Sequence, residues 1–220
     1  MTVGNKVIVD AVFRDTGLDD FLDGLKRNQG ERVSNEIKAL VSNSIVMTGI
    51  SVNRLDRLME NIHFRTEYGL GGGAARSVYR TVERVGEHSD KIVQFLGRRL
   101  KQSYGVGMDA AFRDLKHGID WHPARCTKEE SIKGRTLISF LALFCMSMIR
   151  FLYPQFRSKT AESISEELSS FTLTVFTKKN GEERRVWSNF GPILRAIFGL
   201  KRSVPVSKAG GQSVLDGFRT

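Results

Sequence analysis

The chain of 220 residues carries 34 Lys and Arg against 24 Asp and Glu, a formal net charge of +10. With 40% apolar and 26% charged residues it can bury a core, which excludes a disordered or fibrous chain. The basic excess makes a polyanion, nucleic acid above all, the first partner to expect, because clustered cations gain from releasing the counterions condensed on it.

"KVIVD", Lys6 to Asp10, reads either as a strand ending in an aspartate or as an irregular N-terminal extension. No basic segment followed by a long apolar one opens the chain, so no secretion signal is expected. Leu18, Phe21, Leu22 and Leu25 then repeat at helical spacing, and Gly30 closes that segment. A second helix is predicted from Val33 to Ile50 on Val33, Ile37, Leu40, Val41 and Ile45, and a shorter one capped by Ser51 carries Leu55, Leu58 and Met59. After the glycine-rich "GLGGGAARS" two more helices are expected, Ala74 to Val85 and Ser89 to Ser103. Residues 1–104 therefore read as a helical bundle with short connections.

Beyond Lys116 the pattern changes. "GIDWHPARC" is an extended link, since Pro123 disfavours helix at His122. Thr127 and Glu130 fit a capping box that opens a long helix closing near Tyr153 and Pro154. Its apolar run, Leu137 to Ile149, is shorter than the ~20 residues that span a bilayer, so a buried core helix is expected and no membrane partner. Thr160 to Ser170 is amphipathic. "FTLTVFTKKNGEERRVWS" alternates around Asn180 and Gly181, a dipeptide suited to a type I′ hairpin turn. Pro192 opens a last helix, and residues 203–220 read as a tail.

Few groups suggest chemistry. Cys126 and Cys145 lack metal-ligand spacing, which points to a reducing, cytoplasmic setting. His63, His88, His117 and His122 are scattered. "GLGGGAARS" has a phosphate loop's glycine density but matches neither a Walker pattern nor a dinucleotide fingerprint, so an interhelical turn is the simpler reading. Arg76, Arg80 and Arg84 fall at i, i+4 and i+8, and Arg98, Arg99 and Lys101 end the next helix. That stripe either grips phosphates or is a solvated face balanced by Glu83 and Glu87. Asp109, Arg113 and Lys116 place an acid and two bases along one helix face, a pattern that ordinary surface pairing also produces.

The stretch Met108 to Phe144 gives these last residues a second reading. With Phe112, Leu115, Lys116, Gly134-Arg135, Phe140 and Ala142-Leu143, it resembles the C-terminal catalytic part of insertion-sequence DDE transposases, where an acid stands seven before a lysine. "SVYRTVERVGEHSDKIVQFLGRRLKQSYG" is similar to that family's helical N-terminal region. The resemblance implies DNA as partner, cutting and strand transfer with Mg²⁺, a ribonuclease H-like sheet, Asp109 as metal ligand, and Arg113 and Lys116 beside it. This sequence departs from the family pattern: the Tyr and Arg places hold Gln102 and Gly105, and nothing before Asp109 reads as the required strands. An internally deleted transposase, defective in catalysis, is therefore expected. Residues 1–104 would be a DNA-binding-like region and 105–202 the end of the catalytic region. The fold class expected is mainly α with one small β-hairpin, a remnant of a ribonuclease H-like core. The alternative is a non-catalytic regulator that binds DNA, itself or full-length transposase.

Overall fold

The computed structural model describes residues 4–25, 32–46, 59–71, 75–105, 107, 128–178, 180–181 and 183–197. The first helix, α1, runs Gly4–Thr16 and buries Ile8, Val9, Val12 and Phe13 completely or nearly so. "KVIVD" is thus neither strand nor irregular extension: Ile8, Val9, Val12, Phe13 and Thr16 share a helical face, and burial of that face outweighs the β preference of Val and Ile. Thr16 Oγ1 donates to the Val12 carbonyl at 2.7 Å, and Gly17, at φ 70°, turns the chain into α2, Leu18–Gly24.

Helix α3, Val33–Val46, sits centrally, with Val33, Ile37, Ala39, Leu40 and Val41 all buried. Its start is tied to α2 by Asp23, whose Oδ1 accepts from the Ser34 N–H at 3.0 Å. The expected continuation to Ile50 and most of the Ser51-capped helix lie outside the described residues, although Met59 is buried. In α4, Ile62–Tyr68, Asn61 is the N-cap, accepting from the His63 and Phe64 N–H groups, and Gly69 ends the helix at φ 61°.

Helices α5, Ala75–Glu87, and α6, Ser89–Tyr104, follow with only His88 between them. Both are amphipathic: α5 buries Val78, Val82 and Val85, and α6 buries Ile92, Leu96 and Leu100. Helix α7, Glu129–Leu152, is the longest. Its N-cap is Lys128, which makes no side-chain cap bond; the expected capping box is therefore not the start seen, and Thr127 lies outside the described residues. Length and composition would let this helix cross a membrane, but Leu137, Ile138, Leu141, Phe144 and Cys145 are each at most 3% exposed inside the protein. The expected buried core helix is what forms.

The most extensive helix pair is α5 against α7. A methyl group on Gly86 would overlap the Glu130 carbonyl oxygen, and one on Gly134 would overlap the Val82 carbonyl oxygen. The two backbones touch at this crossing because neither glycine has a side chain.

Tyr153 breaks α7, a 3-10 turn follows at Pro154–Phe156, and α8, Ala161–Ser170, is capped by Thr160 Oγ1 accepting from the Ser163 N–H. Strands β1, Thr172–Thr177, and β2, Glu183–Ser188, form one antiparallel ladder with Thr172 opposite Ser188 and Thr177 opposite Glu183. That register leaves five residues in the connection. The two-residue type I′ turn is therefore replaced by a longer connection in which the Gly181 N–H donates to the Lys178 carbonyl and Gly181 has φ 82°. Pro192 begins α9, Pro192–Ile197, as expected; Glu167 Oε1 accepts from the Ile193 N–H at 2.5 Å and binds α9 to α8.

The architecture is mainly helical with one small hairpin. The expected boundary after residue 104 falls between α6 and α7, and helices on both sides of it contribute to one continuous hydrophobic core.

Candidate nucleic-acid interface

Burial of Val78, Thr81, Val82 and Val85 rotates the opposite face of α5 toward solvent, and that face carries Arg80, exposed, and Arg84, half-buried. Arg76 lies in the first turn of α5, and its side chain is outside the described residues. Burial of Ile92, Leu96 and Leu100 leaves Arg98, Arg99 and Lys101 exposed on α6. Lys91, which the sequence pattern did not single out, is exposed on the same helix, where Asp90 is the sole acid.

The solvated-face reading required Glu83 and Glu87 to balance the arginines, but Glu87, exposed at the end of α5, forms no ion pair among the described residues. Glu83 Oε1 instead accepts from Lys128 Nζ at 3.0 Å and from Ser131 Oγ at 3.3 Å, both at the start of α7. The hydrogen bond from Lys128 holds the Glu83 carboxyl below its usual range. Among the described residues none of Arg80, Arg84, Arg98, Arg99 and Lys101 forms an ion pair. Five cations on two consecutive helices, four exposed and Arg84 half-buried, thus stand without an ion-pair partner among the described residues.

Gly72 to Ala74 of the glycine-rich stretch lie outside the described residues, and the start of α5 after them is poorly suited to a phosphate. Glu36 of α3, 2% exposed, accepts from the Ser77 hydroxyl at 2.5 Å and from the Thr81 hydroxyl, both in the opening turns of α5. A buried carboxyl group already occupies the ground next to the α5 N-terminus that an anion would need. Sequence spacing gave no hint of Glu36, because its partners lie 41 and 45 residues away.

A contrasting set of charges joins α1 to α4 and β2. Lys6 Nζ is 2.5 Å from Asp10 and 3.6 Å from Glu67; Lys38 Nζ is 3.2 Å from Asp10 and 2.8 Å from Asp19; Arg185 reaches Glu67 at 3.5 Å. Burial pushes the Lys6 ammonium down, but Asp10 and Glu67 outweigh it and hold the group above its ordinary value. Burial pushes the Asp19 carboxyl up, and Lys38 offsets this only in part.

Asp109, Arg113 and Lys116 lie outside the described residues, as do His117, His122 and Cys126. Among the described residues no three His, Cys, Asp or Glu side chains gather as metal ligands. Asp10 and Asp19 have the Lys38 ammonium between their carboxylates, so these two residues do not fit Mg²⁺. Cys145 is buried, and burial pushes its thiol well up, out of reactive range. What the described side chains can do is hold polyanion phosphates on α5 and α6. Comparison of the chain with protein-family models, curated proteins and solved structures returns no match.

Proposed function

We propose that this chain is a DNA-binding protein derived from a DDE transposase and defective in strand transfer. The observation that carries the DNA reading is the set of five cations Arg80, Arg84, Arg98, Arg99 and Lys101 on adjoining helices, none of which forms an ion pair among the described residues. Contacts of this kind are to phosphate, so they fix the protein on a duplex without reading bases. The transposase reading rests on the resemblance around Met108 to Phe144 and makes the hairpin and flanking helices a remnant of a ribonuclease H-like core. Such a core holds Mg²⁺ on three carboxylates; in the resemblance only Asp109 stands at one of those places, with Arg113 and Lys116 beside it.

Two measurements test the reading. Duplex affinity should fall linearly on a log–log plot against salt, with a slope of about −0.9 for each phosphate contact. Replacing the five cations by alanine should flatten that slope; absence of binding at low salt overturns the DNA reading. Incubation with Mg²⁺ and DNA carrying transposon ends should give no strand transfer, and transfer abolished by Asp109→Ala would overturn the assigned defect.

A further inference from the structure

The last turns of α6 and α7 and the end of α1 meet at one corner of the molecule. Tyr104 closes α6 and packs edge-on against Phe151 of α7, ring centroids 5.7 Å apart. Tyr153, two residues beyond Phe151, is half-buried like Tyr104. Neither tyrosine hydroxyl makes a hydrogen bond among the described residues. Arg99 reaches across to the junction of α1 and α2, where its Nη2 stands 4.0 Å from the place a methyl group on Gly17 would occupy. Arg14, 69% exposed, is on the last turn of α1 beside the same junction. Asp15, the acid whose charge acts on both tyrosines, is held by Arg14 at 3.2 Å.

Tyr153 also packs against Phe156, ring centroids 6.1 Å apart, and both tyrosines rest partly on the core. Half-exposed aromatic rings close to exposed guanidinium groups, Tyr104 to Arg99 and Tyr153 to Arg14, suit a ligand that is anionic along its backbone and flat in its side groups. A duplex offers only the first of these, because its bases are stacked on one another. An unpaired strand offers both, and its bases stack on aromatic side chains largely without regard to sequence. Arg98 and Lys101 adjoin the corner on α6, so a strand lying there continues onto the basic face.

We propose that this corner binds single-stranded nucleic acid, with Tyr104 and Tyr153 as stacking platforms and Arg14 and Arg99 on the neighbouring phosphates. The inference rests on the DNA-binding reading and adds a preference for unpaired over paired strands.

The test uses the full chain, a fluorescein-labelled oligothymidylate of about 20 nucleotides, long enough to cover a site of this kind, and a duplex of equal length. The double variant Tyr104→Leu/Tyr153→Leu keeps apolar bulk and loses the rings. It should weaken single-strand binding by about tenfold or more while leaving duplex binding and both salt slopes unchanged. Tyr104→Phe should bind like the wild type. A strand carrying 2-aminopurine should lose fluorescence on binding the unaltered protein, a reading independent of whether the variants fold. Equal losses for both DNAs, unaltered single-strand binding by the leucine variant, or no change in 2-aminopurine emission each overturn the proposal. Failure of the wild type to bind either DNA overturns the DNA-binding reading as well, whereas retained duplex binding confines the failure to this corner.

Discussion

On the side built by α1 to α4, the Lys6 and Lys38 side chains are only 19% and 14% exposed, and each lies between two carboxylates. On α5 and α6 the cations are mostly arginines, are exposed apart from the half-buried Arg84, and form no ion pair among the described residues. The difference lies in what the local helix face buries. Lys6 and Lys38 lie where α1, α3 and α4 pack together, so their charge has lost water and must be matched by Asp10, Asp19 and Glu67. Arg80, Arg98 and Lys101 lie opposite an apolar stripe, remain hydrated, and need no partner for folding. Cations of the first kind hold helices together, and those of the second remain available to a ligand.

That contrast predicts very different costs of removal. Lys38→Ala leaves Asp10 and Asp19 facing each other, with Asp19 Oδ1 already buried and without a hydrogen bond among the described residues. It should cost about 2–3 kcal/mol of unfolding free energy in urea titration, toward the lower end for a broken buried pair because Asp10 is partly hydrated. Gly134→Ala removes no charge but forces α5 from α7 at the Val82 carbonyl, and should cost about 1–3 kcal/mol by the same titration.

Lys6→Met sharpens the comparison through pH. The Lys6 ammonium is held above its ordinary value of 10.5, so its stabilisation is complete below that pH and disappears as pH rises through the folded value. The stability difference between wild type and Lys6→Met should therefore shrink as pH climbs above about 10.5, which melting curves across the alkaline range would register. Smallest of all, Arg98→Ala or Lys101→Ala should shift stability by no more than about 0.5 kcal/mol. A loss comparable with that of Lys38→Ala would place these cations in the structural set.

Helical periodicity made much of this fold legible from sequence: Leu18 to Leu25, the face beginning at Val33, both helices between Ala74 and Ser103, the core helix around Leu137 to Ile149, and the alternating hairpin. Helix α1 escaped because Lys6 to Asp10 taken alone is a short β-branched apolar run between two charges, and its helical face emerges only when Val12, Phe13 and Thr16 are included. The hairpin turn was misread because strand pairing stops at Thr177 and Glu183, further from Gly181 than a two-residue loop allows. Arg80, Arg84, Arg98, Arg99 and Lys101 were visible as a spacing pattern. Their lack of ion-pair partners among the described residues was not, since Glu83 turns to Lys128, 45 residues away. The charge chain of Lys6 and Lys38, the Glu36 contacts and the Tyr104/Tyr153 corner join distant segments, and no local pattern encodes them.

The salt dependence of duplex binding, measured for the wild type and for the variant with alanine at Arg80, Arg84, Arg98, Arg99 and Lys101, tests the separation of the two cation sets most directly. The account predicts steeply salt-dependent binding by the wild type, a flatter slope and weaker binding in the variant, and matching melting curves for the two. Identical slopes, or a wild type that binds no DNA at low salt, would contradict it.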